Sequence, residues 1–177
     1  MLFRSTTYVR TGCSSTTLCD LLLGDVYAVI PFGNSAVLRT VKGNIIWEVL
    51  EFAVSTLHED PLKNNYHGRF QQVAGLRFTW KLSNSVGSRL QSVELADLST
   101  TPPTYTAIPN ADQDGGSPDY TIIVNDFMNG GGDGFTMLKE PVPTPGLGIL
   151  ADAVVAYIKD KKDITTPAVM GRITMIP

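Results

Sequence analysis

Two short segments gather the residue types that a flat, hydroxylated ligand would need. The first is Pro31-Phe32-Gly33-Asn34. The second is Asn125-Asp126-Phe127-Met128-Asn129-Gly130-Gly131-Gly132-Asp133-Gly134-Phe135. Each sets a phenylalanine beside a turn at the end of a β-rich stretch. A strand-end aromatic is often a core plug, and that reading stands for either ring taken alone. The second segment carries more. Four glycines and an asparagine within six residues, 129–134, allow positive φ angles and let a ligand approach the backbone closely. Asp133 places one carboxylate inside that turn. Two aromatic faces can sandwich a planar ring through dispersion and desolvation, and stacking a base on an aromatic contributes ~1–3 kcal/mol. A carboxylate accepts hydrogen bonds from a vicinal pair of hydroxyls, as on a sugar, and a guanidinium can hold a phosphate.

These residues need elements to position them. Residues 26–32 are dense in β-formers and break at Pro31 and Gly33, which reads as an extended segment entering a turn. Residues 36–41 continue as a strand. Residues 45–57 have apolar positions at helical spacing, with Asn44 as an N-cap. Residues 70–80 read as strand, turn and strand, and 89–95 as the return strand. Residues 98–119, rich in Pro, Thr, Asp and Gly, read as one long surface loop. Residues 120–124 form a short strand that delivers the glycine-rich turn. Residues 149–161 form an amphipathic helix, and 173–176 a terminal strand. Helices and strands mix without a strict β-α-β rhythm, so the expected class is α+β, with mixed sheets flanked by helices.

The second segment fits the pattern Asn-x-Phe-x-x-Gly-Gly-x-Asp-Gly followed by Phe or Tyr. It resembles the signature of the 5'-nucleotidase/apyrase family's C-terminal, substrate-binding domain. Further matches follow in family order: Ile30-Pro31-Phe32-Gly33-Asn34, the Lys42-Gly43 turn, Phe70-Gln71-Gln72-Val73-Ala74-Gly75-Leu76-Arg77, and Pro167-Ala168-Val169-Met170-Gly171-Arg172-Ile173. The resemblance implies that Phe32 and Phe127 stack on a nucleobase, that Asp133 binds the ribose hydroxyls, and that Gly68 adds backbone contacts to the same pocket. The family also carries an Asn-Gly-Gly-Gly-Ile-Arg segment whose arginine holds the substrate phosphate. At the matching offset this chain reads Ser5-Thr6-Thr7-Tyr8-Val9-Arg10. Only Arg10 is kept there, and side chains stand where the family has glycine.

The resemblance also divides the chain. Residues 1–25 become a degenerate segment leading from a metallophosphoesterase domain, and 26–177 the substrate-binding domain. The ligand implied is a nucleoside or nucleoside monophosphate. Family members are metal-dependent phosphoric monoester hydrolases, so divalent metals such as zinc are expected only in that other domain, and this chain alone is expected to be inactive. The alternative is a standalone, non-catalytic module that binds nucleosides or protein partners.

Other classes find little support. The net charge is −3, which does not suggest a nucleic-acid binder. His58 and His67 lie in a polar stretch without metal-ligand spacing. Asp112-Gln113-Asp114-Gly115 begins like a calcium loop, but Ile123 stands where its twelfth-position acid belongs. Cys13 and Cys19 are compatible with a bridge or with two thiols. No run approaches the ~20 apolar residues of a membrane span. The family is mostly extracellular or periplasmic, while the first residues lack a signal peptide's apolar stretch.

Overall fold

The computed structural model describes residues 21–58, 68–110, 117–140, 144–161 and 170–176. Strand β1 (Ser35–Lys42) turns Val37, Arg39 and Val41 inward and leaves Leu38, Thr40 and Lys42 outside, the period of two that a half-buried strand requires. It is the central strand of a three-stranded sheet, flanked by β5 (Asp119–Asn125) and β6 (Gly146–Ile149). Both neighbours run antiparallel to it. A second sheet has the order β4 (Thr104–Ala107), β3 (Leu90–Asp97), β2 (Leu76–Lys81), β7 (Ile173–Ile176), with β7 parallel to β2. The fold is α+β, as expected.

Helix α2 (Gly43–Val54) links the two sheets, and its residues enter both apolar clusters. Ile46, Leu50 and Val54 join Val41 of the first sheet and Phe78, Trp80, Leu90 and Val93 of the second. Val49 joins Met128, Phe135 and Leu138 beneath the glycine-rich turn. Fully burying side chains of this size contributes roughly 1.5–3 kcal/mol each. The turn therefore rests on the same helix that closes the main core.

Four local expectations are corrected. Residues 26–32 are not extended: Leu23–Val29 is helix α1. The carboxylate of Asp25 accepts from the Leu22 N–H at 2.7 Å, satisfying a first-turn donor. Tyr27 donates to Asp152 at 2.6 Å, which ties α1 to α4 (Leu150–Lys161). This tertiary packing overrides β-propensity. The helix stops before Pro31 because a residue preceding proline is pushed out of helical geometry.

Asn44 is not the cap of α2; Lys42 takes that position. The Gly43 N–H instead donates to the Ser117 hydroxyl at 2.9 Å, a cap supplied from distant sequence. Residues 70–73 form no strand. Phe70 packs edge-on against Trp80 with ring centroids 6.5 Å apart, and regular pairing begins only at Leu76. Finally, the long surface loop contains strand β4, which pairs with β3 from Glu94↔Ala107 to Asp97↔Thr104.

The β2–β3 connection is held to α2 by two side chains, Glu51 and Arg89. Glu51 accepts from the backbone N–H groups of Gly87 at 2.9 Å, Arg89 at 3.0 Å and Leu90 at 2.7 Å. Arg89 answers by donating to the carbonyls of Val54 and Leu57, at 2.6 and 2.9 Å, near the end of the helix. Glu51→Ala leaves three donors without their acceptor. It should lower the unfolding free energy by about 3 kcal/mol, read as a lower urea midpoint at unchanged slope. A wild-type midpoint would contradict this account of the connection.

Candidate ligand-binding site

The antiparallel register Ala36↔Asn125 sets the start of β1 beside the end of β5. The Phe32 turn and the Phe127 segment therefore emerge at the same end of one strand pair. A direct bond joins them: Asn34 Nδ2 donates to Asp126 Oδ1 at 2.8 Å across 92 positions of sequence. The Phe127 N–H donates to the same oxygen at 2.8 Å. Asn125 caps the short helix α3 (Asp126–Asn129) by accepting from the Met128 N–H at 2.6 Å. Burial alone would raise the Asp126 carboxyl. Hydrogen bonds from the Asn34 side chain and from the backbone N–H groups of Ser35, Phe127 and Asp126 itself outweigh that and hold it below the ordinary aspartate value.

Both phenylalanines face solvent, Phe32 at 62 % and Phe127 at 51 % exposure. Neither is a core plug. A Cβ placed on Gly132 would fall 2.6 Å from three atoms of the Phe127 ring, so only glycine lets that ring lie against the turn. The next residue, Asp133, has φ 53° and ψ 17°. It is the one non-glycine residue with positive φ among those described, a conformation that costs of order 1 kcal/mol or more. Among the described residues, no hydrogen bond or ion pair engages its carboxylate. Gly68 lies close by, its Cβ position 4.0 Å from Asp133 Oδ2. The turn is backed by Phe135, buried and edge-on to Phe52 at 5.1 Å between centroids, and by Arg69 over the Phe52 ring at 5.1 Å.

Phe127, Gly132, Asp133 and Gly68 are thus contiguous, and the Phe32 turn is bonded to the Phe127 segment. Arg10 lies outside the described residues, as do His67, Cys13 and Cys19. The sequence reading missed the Asn34–Asp126 bond, whose only local signal is a polar residue at each strand end. A cavity of about 450 Å³ borders the underside of this region, lined by apolar residues such as Val49, Val73, Ile122 and Met128 and by none of Phe32, Phe127, Asp133 or Gly68. The candidate site is an open surface rather than that cavity. Among the described residues, no group of three or more His, Cys, Asp or Glu side chains could hold a metal ion. No helix among them is long and apolar enough to cross a membrane.

A family model described as 5'-nucleotidase, C-terminal domain, matches residues 19–140. Over 76 residues the chain is 37 % identical to the trifunctional nucleotide phosphoesterase protein YfkN of Bacillus subtilis (strain 168), covering 43 % of this chain and 5 % of that protein. It is 33 % identical over 101 residues to Protein 5NUC of Lutzomyia longipalpis, covering 57 % of this chain and 16 % of that one. The crystal structure of a 5'-nucleotidase precursor from Thermus thermophilus aligns with a TM-score of 0.71 at 33 % identity, over 88 % of this chain and 28 % of that chain. The chain spans less than a third of the length of each of these proteins.

The depressed Asp126 carboxyl gives a pH dependence of definite sign. A folded value below the unfolded one contributes stability that is present above about pH 3.9, the ordinary aspartate value. That contribution is lost as pH falls through the folded value. Wild type should therefore lose stability relative to Asp126→Asn as pH drops from about 5 to about 2, measured by urea unfolding at each pH. A difference between the two proteins that stays constant over that range would contradict the assignment.

Proposed function

Because the chain belongs to the 5'-nucleotidase C-terminal domain family, we propose that it is the nucleoside-gripping part of a nucleotide phosphohydrolase. Phe32 and Phe127 stack on the two faces of the base. Asp133 accepts hydrogen bonds from the ribose hydroxyls, Gly68 contributes backbone contacts, and Arg10 holds the phosphate. Residues 1–25 lead in from a metallophosphoesterase domain. Divalent metals such as zinc belong to that domain, where they would supply the hydrolytic chemistry.

The observation that carries this reading is the Asn34–Asp126 bond, which ties the turn of one exposed phenylalanine to the segment of the other. Exposed aromatics cost little singly and are common. Two on segments bonded to each other, beside a carboxylate held in left-handed geometry with no partner among the described residues, match the chemistry of a nucleoside. Asp133 supports the ribose role on the same grounds: local strain of this kind is retained where the residue serves a site. In such a protein this part performs no bond cleavage. Its binding energy from base and sugar orients the phosphate at the reacting centre.

The test uses the purified 177-residue chain. Adenosine and AMP should bind weakly and give saturable NMR shift changes. Phe127→Ala should weaken adenosine binding by roughly tenfold, the lower half of the range for losing one stacking face. Neither ligand should be altered, with or without divalent metal. Absence of any adenosine-dependent shift would defeat the nucleoside reading. Metal-dependent phosphate release by the chain would defeat the assignment of hydrolysis to a second domain.

A further inference from the structure

Arg39 is an anomaly in the inward row of β1. Its neighbours in that row, Val37 and Val41, are buried and apolar, and a third aliphatic residue would complete the pattern. Instead a guanidinium is buried to 9 % exposure. Burying that charge is costly unless it is fully engaged, and a well-packed apolar residue is often at least as stable. Stability alone therefore does not select arginine here.

Its two terminal nitrogens show where it is engaged, while the buried Nε has no hydrogen-bond partner among the described residues. Nη1 donates to Asn129 Oδ1 and to the Leu138 carbonyl, the latter at 2.7 Å. Nη2 meets Glu140 Oε1 at 2.7 Å, and Thr144 donates to the other Glu140 oxygen at 2.8 Å. Asn129 stands just before the glycine run, and Leu138 and Glu140 stand just beyond Phe135. One planar fork thus clasps both ends of the turn. Between those ends the backbone holds Gly131 at φ 85°, Asp133 at φ 53° and Gly134 at φ 90°. Glycine adopts such angles readily, but at the non-glycine Asp133 the angle persists only where the surroundings over-determine it. A lysine could supply the charge but not the fork.

We propose that Arg39 is the positioning residue that clasps the glycine-rich turn and thereby presents the Asp133 carboxylate to a sugar's vicinal hydroxyls. This rests on the ribose reading above. Arg39 touches no ligand; it acts through the turn, and its loss should be felt by the sugar and not by the base.

The experiment compares the whole wild-type chain with Arg39→Lys and Arg39→Met. Affinities for adenosine and for free adenine are measured by calorimetry, and amide hydrogen exchange is followed at 131–134 and along β1 and β5. In Arg39→Met, the advantage of adenosine over adenine should shrink roughly tenfold, the scale of one charge-assisted hydrogen bond. Adenine affinity should hold within about twofold. The turn amides should exchange faster while β1 and β5 stay protected, and Arg39→Lys should show the same changes in smaller degree. A folded Lys or Met variant with wild-type adenosine preference and wild-type turn exchange would overturn the proposal. So would parallel loss of adenine and adenosine binding with general loss of protection, which marks a merely structural role. If wild type itself shows no preference for adenosine over adenine, the ribose reading has failed, and turn exchange alone decides whether Arg39 is the clasp.

Discussion

The pairing of β1 with β5 is the contact on which the rest of the candidate site depends. It joins two parts of the chain that sequence keeps far apart, and its register is fastened at both ends. At one end Lys42 pairs with Asp119 at 2.8 Å, an exposed ion pair worth little by itself. At the other, Asn34 bonds Asp126 at 2.8 Å. The inward residues between them exclude a slip, since a shift by one would turn Val37 and Val41 to solvent and Leu38 to the core. With the register fixed, the positions of the Phe32 turn and the Phe127 segment follow.

The glycine-rich turn is the costly part of this arrangement. It holds left-handed backbone at a non-glycine residue and brings an aromatic ring against Gly132. What keeps it in shape lies around it: Val49, Met128, Phe135 and Leu138 pack beneath, Phe52 sits edge-on to Phe135, and the Arg39 guanidinium reaches its two ends. A rigid sheet and helix thus support an irregular surface segment, the usual division of labour between scaffold and binding loop. That leaves the Asp133 carboxylate without a protein partner among the described residues.

Much of this was legible in the sequence, for reasons that differ by element. The Asn125 to Phe135 pattern is local: Gly131 and Gly134 supply positive φ and Gly132 leaves room for the Phe127 ring, so residue types and order carry the signal. Helices α2 and α4 declare themselves by apolar spacing. The failures are all cases where distant contacts decide. The Val26 to Ile30 run has the composition of a strand, yet Asp25 and the Tyr27–Asp152 bond make it end a helix. Asn44 has the right chemistry for a cap, but Ser117 arrives from across the fold to bond Gly43. The Asn34–Asp126 bond and the role of Arg39 have no local signature, because their partners are chosen by strand register. The part of the site assigned to Arg10 lies outside the described residues.

The most direct test of the central claim is an intermolecular nuclear Overhauser measurement on the chain with bound adenosine, its phenylalanine rings selectively labelled. The account predicts contacts from the adenine H2 and H8 protons to the rings of both Phe32 and Phe127, since a base held between two faces lies within reach of each. Contacts to one ring only, or to neither while adenosine remains bound elsewhere, would contradict it.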